Sequence, residues 1–316
     1  MAQPADAFSS YDAVGIREDL SDMIYQITPE ATPFYSMIGK SKAKNTLHEH
    51  QTDALRSSGT NAHIEGDDTV ATARSATTRL NNQTQIFKDA VIVPDTDEGL
   101  SKAGRAKEMA YQLVKAAAEQ KLDIEAALLA NNAKVVGSDT VARELAGVPA
   151  WLVTNTSFGA NEGANPTGDG TDARTDETTT LLEFTQARFD TVMQSCWEAG
   201  GKPETVILSA FQQAKALAFT GNNNQRVEGK KGTVDNYISV YVTPWGTVNF
   251  VPSRENRSRD VLLIEKDKWS AAILRPTKSV ELAKTGDSTR RQIVTELTLV
   301  AKNEAASGGV FDCTIT

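Results

Sequence analysis

The sequence predicts an α+β protein that carries two extended appendages, and three features of the pattern indicate this class. An apolar segment interrupted by prolines comes first, two long β-favouring segments then flank a polar stretch, and an unbroken helical pattern precedes a mixed α/β region. The chain has 316 residues, of which 40% are hydrophobic and 23% are charged, as expected for a folded protein with one or two domains. Its formal charge of −8 argues against a dedicated nucleic-acid binder, because neutralising phosphates requires a surplus of Lys and Arg.

The first element is an apolar arm that has no domain of its own. Residues 16–27 place five apolar side chains on one helical face: Ile16, Leu20, Met23, Ile24 and Ile27. Pro29 and Pro33 then remove backbone donors and favour extended geometry at the residues before them, and apolar residues continue to Ile38. Because these side chains would otherwise stay in water, we expect the arm to lie against its own chain or a neighbouring one.

A long two-stranded flap is predicted over residues 45–93. Its limbs are residues 45–55 and 76–93, and the tip between them is rich in small and polar residues and cannot form its own core. Isolated two-stranded ribbons are marginal in water. We therefore expect the flap to need a partner surface.

The strongest helix prediction covers residues 105–136, which contain neither Gly nor Pro. An apolar stripe at helical spacing runs along it: Ala106, Ala110, Leu113, Ala117, Ile124 and Leu128. Residues 154–180 follow after a short interval and are rich in Asn, Gly, Thr and Asp. This composition predicts an exposed loop or insertion.

An α-β-α unit comes next. A capping box at Thr180 and Glu183 predicts the start of a helix that ends before Gly200. A buried strand is predicted at residues 205–208, and Ser209 is expected to cap a second helix that reaches residue 219.

The remainder is predicted to be mainly β-structure. The predicted strands are 238–242, 247–251, 261–264, 271–274, 277–284 and 292–301. The last two form a long antiparallel hairpin around Gly286 and Asp287. We expect Gly286 to supply a positive φ that sets the register of this hairpin.

Few residues point to catalysis. Cys196 and Cys313 lie far apart, so they indicate buried thiols and no disulfide framework or zinc site. His48 and His50 share one face of a predicted strand, which leaves a two-histidine metal site as an alternative, although no third ligand follows at a clear spacing. The sequence has no phosphate-binding glycine loop and no nucleophile elbow. We therefore expect no cofactor and no enzymatic activity.

The sequence also gives no sign of export. No apolar run approaches the roughly 20 residues that cross a bilayer, and residues 1–10 lack the basic start and apolar core of a signal peptide. We expect no membrane association.

Basic residues exceed acidic ones between positions 225 and 302, and three of them, Arg254, Arg257 and Arg259, fall in one predicted loop. Such a cluster is read either as part of a mixed surface or as an ion-pairing strip that faces the acidic remainder of a neighbouring copy.

Several sequence stretches match a known family. The first stretch is Arg17, Asp19, Leu20, Asp22, Ile24, Ile27, Pro29, Thr32, Pro33 and Phe34. The others are Trp197 to Pro203, Trp245 to Val248, Leu282 to Asp287, Arg291, Val294 and Glu296. Together with the order of elements they resemble the major capsid proteins of tailed phages, whose fold was first seen in phage Hong Kong 97. The resemblance spans nearly the whole chain and names no active site.

The resemblance implies an HK97-like domain division. Its parts are an N-terminal arm (1–44), an extended loop (45–93), a peripheral domain with a long spine helix (94–145 and 265–305), an axial α/β domain (146–264) and a C-terminal tail (306–316). It also implies that many copies form hexamers and pentamers of an icosahedral shell, assembled in the bacterial cytoplasm, that encloses double-stranded DNA with weak contacts and no sequence specificity. A portal, a separate scaffolding protein and decoration proteins are the further partners it suggests.

The expected inter-subunit contacts combine the matched motifs with exposed charges. The candidates are Arg17, Asp19, Leu20, Asp22, Ile24, Phe34, Arg74, Arg79, Arg254, Arg257, Gly286 and Asp287. Two alternatives remain at this point. One is an encapsulin-like shell that encloses a protein cargo, and the other is a hydrolase that uses His48 and His50.

Overall fold

A computed structural model describes most of the chain. The described residues are 32–56, 58–68, 71, 74–100, 102, 107–159, 165–219 and 240–315. The predicted helical face of the arm lies outside them, as do five of the candidate contacts: Arg17, Asp19, Leu20, Asp22 and Ile24.

A four-stranded sheet forms the centre of the molecule, with the strand order β1-β10-β11-β4. The strands are β1 (Gly39–Lys42), β4 (Gln85–Pro94), β10 (Trp269–Glu281) and β11 (Ser288–Ala301). β1 runs parallel to β10, and the other pairs are antiparallel, so the predicted long hairpin of β10 and β11 is confirmed. The hairpin continues through the predicted strand 271–274 without a break, although its register shifts between Ile273 and Lys278.

Three helices accompany this sheet. They are α1 (Pro33–Met37), α2 (Asp95–Gly99) and the long α3 (Glu108–Leu129). α3 packs across β4 and β11, and α1 packs against α3. The core between them contains the fully buried Phe34, Leu128, Trp151 and Trp269. Within the part of the chain that is described, no helix combines the length and the apolar character that crossing a membrane requires.

The long helix differs from its prediction in length and in buried face. It ends at Leu129, because Ala130 is already extended, with ψ of 151°. Ile124 and Leu128 are buried as predicted, but Ala110 and Ala117 are exposed. The buried face instead includes the polar Gln120, which an apolar pattern does not select. Gln120 hydrogen-bonds to backbone carbonyls of both β4 and β11.

A six-stranded sheet forms the second layer, with the order β5-β12-β9-β6-β8-β7. Its strands are β5 (Thr156–Ser157), β6 (Thr205–Leu208), β7 (Val240–Thr243), β8 (Gly246–Pro252), β9 (Val261–Ile264) and β12 (Gly308–Val310). The helices α4 (Gln186–Glu198) and α5 (Ala210–Ala216) complete the predicted α-β-α unit. Their apolar side chains form a second core with the sheet, which includes Phe189, Tyr241, Phe250 and the thiols of Cys196 and Cys313.

The predicted capping box is wrong, although the helix it introduces is present. α4 begins after Thr185, whose hydroxyl accepts the backbone N–H of Arg188. Thr180 and Glu183 precede this start and lie in irregular structure. The other predicted cap is confirmed, because the hydroxyl of Ser209 accepts the N–H of Gln212 at the start of α5.

The predicted exposed loop at residues 154–180 is exposed in part, but several of its described polar residues are buried. Arg174 is 3% exposed, its guanidinium lies 3.8 Å from the ring centroid of Phe311, and it donates to the carbonyl of Leu152. Glu177 is 7% exposed and accepts three consecutive backbone N–H groups. The prediction is wrong for these residues, because they find buried partners that the composition does not reveal.

The predicted flap is confirmed over its outer part. β2 (Leu47–Thr52) and β3 (Thr78–Gln83) form an antiparallel two-stranded sheet, and we call residues 47–83 the ribbon. The second limb then changes partner at the buried Thr84, so β4 pairs with β11 instead of continuing the ribbon. Residues 85–94 therefore lie in the same sheet as the long hairpin.

Candidate assembly surfaces

The outer part of the ribbon is exposed in the part of the chain that the structure describes. Every described residue between positions 53 and 79 is exposed, including Leu55 at 99% and Ile64 at 83%. The candidate Arg74 is among them. The candidate Arg79 makes a two-pronged ion pair with Glu49 on the opposite strand, and its side chain remains 66% exposed.

The root of the ribbon is held firmly, in contrast to its tip. The amide of Asn82 is 1% exposed, donates to the carbonyl of Leu299 at 2.9 Å, and accepts the N–H of Ala146 at 2.9 Å. The ammonium of Lys134 donates to the side-chain oxygen of Asn81 at 2.7 Å. These contacts fix the direction in which the ribbon leaves the body.

A buried carboxylate lies where the chain passes from the ribbon into the sheet. Glu296 has a side chain 4% exposed and accepts hydrogen bonds from Thr84, Arg143 and Arg275 at 2.7–2.9 Å. Since the two guanidiniums and the hydroxyl come from three separate segments, this carboxylate joins the ribbon root, the loop after α3 and the long hairpin.

One histidine of the ribbon, His50, contacts the body of the protein. Nε2 of His50 donates to the carbonyl oxygen of Ala301 at 2.8 Å, and its ring lies 6.3 Å from that of Trp151. Burial lowers the pKa of His50, which favours the neutral ring. The described residues contain no group of three or more His, Cys, Asp or Glu that could hold a metal ion.

Phe34, a candidate inter-subunit contact, lies inside its own chain. Its side chain is 0% exposed, and its ring meets that of Trp269 edge to face with centroids 6.5 Å apart. Tyr35 and Ile38 are also buried, at 8% and 3% exposed. Phe34 therefore belongs to the core of its own chain, because an aromatic ring in that pattern fits a core as well as an interface.

Two of the three loop arginines also have partners in their own chain. Arg257 ion-pairs with Asp176 and with Asp260, the latter at 2.8 Å, and Arg259 ion-pairs with Asp312 at 2.7 Å. Burial raises the pKa of Asp260 even though Arg257 lies against it. Arg257 therefore has ion-pair partners within its own chain, and its inter-subunit role stays a prediction. Arg254 is exposed.

The hairpin turn at Gly286 and Asp287 is exposed, but its predicted mechanism is wrong. Gly286 does not belong to the glycines with positive φ, and a Cβ added to it would meet no atom within 4 Å. The turn is tied instead to Asp95 of α2. The N–H of Asp95 donates to the carbonyl of Asp287 at 3.3 Å, and its carboxylate accepts the ammonium of Lys284 at 2.6 Å, which lowers the pKa of Asp95.

Several described residues are exposed on the face of the four-stranded sheet that points away from α3. We call it the outer sheet face, and its exposed apolar residues are Ile86 at 46%, Ile92 at 56% and Val280 at 45%. Basic residues lie among them, because Lys88 and Lys278 both pair with Val294 and therefore share its face. A depression of about 180 Å³ on this face is lined by Arg275, Lys278, Val280 and Val294 with Pro276 and Gln292.

Sequence reasoning missed the buried and half-buried polar residues that position these surfaces. Asn82, Lys134 and Glu125 were not selected, and Glu296 was noticed only as part of a matched motif. A signal exists for Glu125, because it follows Ile124 directly in the buried face of α3. An acidic residue inside an apolar stripe indicates a specific buried partner.

Comparisons with known proteins agree over nearly the full chain. The sequence profile of the family described as SU10 major capsid protein matches residues 4–314. The major capsid protein of Escherichia phage Phieco32 is 29% identical, and the alignment covers 98% of each chain. The capsid of cyanophage A-1(L) superposes with a TM-score of 0.66 at 13% identity, covering 95% of this chain and 97% of that one. The major capsid and decoration proteins of phage G give a TM-score of 0.57 at 10% identity, with 99% and 100% covered.

Proposed function

Because the chain belongs to the SU10 major capsid protein family and so forms the icosahedral shell of a phage, we propose that the ribbon and the N-terminal arm hold its copies together as hexamers and pentamers. It is a structural component of the virion with an HK97-like α+β fold, and not an enzyme. Membership of this family argues against the two alternatives, a shell that encloses a protein cargo and a hydrolase.

The exposed ribbon carries this proposal. Residues 53–79 contribute no buried side chain among those described, yet they include Leu55 and Ile64. A two-stranded ribbon with no hydrophobic cover is marginal by itself, whereas the same ribbon laid on a neighbour buries its apolar residues. Arg74 and Arg79 are the ribbon residues proposed to contact that neighbour.

The arm is the second proposed connection. It is apolar and contains Asp19 and Asp22 beside Arg17, while the outer sheet face is apolar and basic. Leu20 and Ile24 match the exposed apolar residues of that face in character. Opposite charges at such a contact set its register more than its strength, since exposed ion pairs contribute about 0–1 kcal/mol each. Each contact can be weak because closed symmetry repeats it many times.

Further contacts and partners follow from the same proposal. Arg254, Gly286 and Asp287 are exposed and are proposed as contacts between copies. Double-stranded DNA inside the shell is proposed to be held weakly, since the chain has a formal charge of −8. A portal and a separate scaffolding protein are also proposed partners. A decoration protein accompanies the phage G capsid protein, and a comparable partner is proposed here.

The domain division of the family stays part of this proposal. An N-terminal arm, an extended loop, a peripheral domain and an axial domain account for the two sheets and the ribbon. The pairing of β4 with β11 supports ending the extended loop at about residue 83, since residues 85–94 share a sheet with the hairpin.

Limited proteolysis tests the role of the ribbon. Trypsin should cut after Arg56 and Arg74 quickly in unassembled protein and many times more slowly in purified shells, because a neighbour then covers both sites. The Arg56→Gln/Arg74→Gln variant is the matched control, since it should lose the fast fragments and keep the others. Equal cleavage rates at these sites in both states would refute the proposed cover.

A further inference from the structure

The carboxylate of Glu125 makes an unusual contact within the body. It is 0% exposed, and its two oxygens accept two consecutive backbone N–H groups, those of Phe34 at 2.9 Å and Tyr35 at 2.7 Å. These residues belong to α1, the short helix through which residues 1–31 join the body. Thr32, which precedes this helix, makes no side-chain cap. Glu125 therefore satisfies the backbone donors that a local cap would normally take.

A buried carboxylate without a cation is costly and needs a reason. Among the described residues, the charged side chain that acts on Glu125 is the carboxylate of Glu255, which repels it, and burial raises the pKa of Glu125. An apolar residue at this position of α3 would serve simple packing, since Leu128 and Leu129 beside it do so at 0% exposure. The two hydrogen bonds from the backbone N–H groups are directional, so they fix the orientation of α1, which apolar packing alone does not.

We propose that Glu125 fixes the direction in which the N-terminal arm leaves the body and thereby sets how each copy engages its neighbours. Glu125 is a positioning residue, because it contacts α1, the root of the arm, and affects assembly only through the arm. This inference rests on the proposed role of the arm in joining copies.

The geometry separates orientation from attachment. Phe34 and Ile38 attach the root through apolar burial, which tolerates small rotations of α1. The bidentate contact at Glu125 does not, because each oxygen must face its own N–H group. A Gln at position 125 keeps one acceptor and places an NH2 group against the other donor, while an Ala removes both acceptors. The two substitutions therefore form a graded series.

Hydrogen exchange of the full-length protein reads the contact itself. We expect exchange of residues 32–38 to be about tenfold faster in Glu125→Gln, equivalent to about 1.4 kcal/mol, and faster still in Glu125→Ala. Electron microscopy of the same variants reads its consequence. Open sheets or shells of mixed diameter are expected, with Glu125→Gln intermediate between the wild type and Glu125→Ala.

Gln120→Ala is the matched control. Gln120 lies on the same helix, is 3% exposed and bonds to β4 and β11, so its loss weakens the body without touching the root of the arm. At a similar loss of melting temperature, Gln120→Ala should form closed shells of normal diameter. Normal shells from Glu125→Ala, or the same shell defect in Gln120→Ala, would overturn the proposal. Wild-type-like exchange of residues 32–38 in Glu125→Ala would refute the contact, whereas normal shells from a deletion of residues 1–31 would refute the proposed role of the arm instead.

Discussion

Removing residues 1–31 and removing residues 1–38 are expected to affect folding very differently. The longer deletion takes away three buried side chains: Phe34, Tyr35 and Ile38, at 0%, 8% and 3% exposed. The shorter one removes only residues that precede α1. The two deletions differ by the seven residues 32–38, which include these three core side chains.

The magnitude follows from the burial of these three side chains. Each contributes about 1.5–3 kcal/mol when buried, so their loss costs about 5–9 kcal/mol. Glu125 also loses both of its hydrogen-bond donors and stays as an unpaired buried carboxylate. Because native proteins are stable by only about 5–15 kcal/mol, the longer deletion removes a large part of the total.

Thermal unfolding of the unassembled proteins, followed by circular dichroism, measures the difference. We expect the 1–31 deletion to melt within a few degrees of the wild type and to fail in closing shells. We expect the 1–38 deletion to melt at least about 10 °C lower or to be unfolded at 25 °C. Equal melting temperatures for the two deletions would refute the assignment of residues 33–38 to the core.

Three further changes have defined outcomes. Gly147→Ala should lower the melting temperature by several degrees, because the new Cβ would lie 2.0 Å from the carbonyl oxygen of Ala130 at the end of α3. Gly286→Ala should leave the melting temperature unchanged, because its Cβ would meet no atom within 4 Å. Thermal melts that show the larger loss in Gly286→Ala would contradict this backbone geometry. The free energy of unfolding should fall as the pH drops below about 6.5, because burial lowers the pKa of His50 and the folded state then binds fewer protons than the unfolded one. The His50→Gln variant should flatten this part of the profile of stability against pH. An unchanged profile in the variant would exclude His50 as the cause. The thiols of Cys196 and Cys313 should resist a thiol reagent at pH 8 until the protein unfolds, because burial raises the pKa of each thiol to about 12. Rapid labelling of the native protein would contradict their burial.

Local sequence signals were sufficient where an element is specified by its own residues. Gly200 and Ser209 mark the end of α4 and the start of α5 because a positive φ and a side-chain cap act within a few residues. The hairpin of β7 and β8 likewise follows from the turn at Pro244 and Trp245. The family was also recognisable from sequence, because its motifs are contiguous and span nearly the whole chain.

Only the tertiary structure decided which surface each residue meets. Phe34 is equally compatible with a core and with an interface until Trp269, more than 200 positions away, is placed against it. The second limb of the ribbon changes partner at Thr84, whose hydroxyl donates to the carboxylate of Glu296. The guanidinium of Arg257 ion-pairs within the chain with Asp176 and Asp260. These outcomes depend on groups far apart in the chain, whose proximity is created by folding itself, and no periodicity or turn signal encodes them.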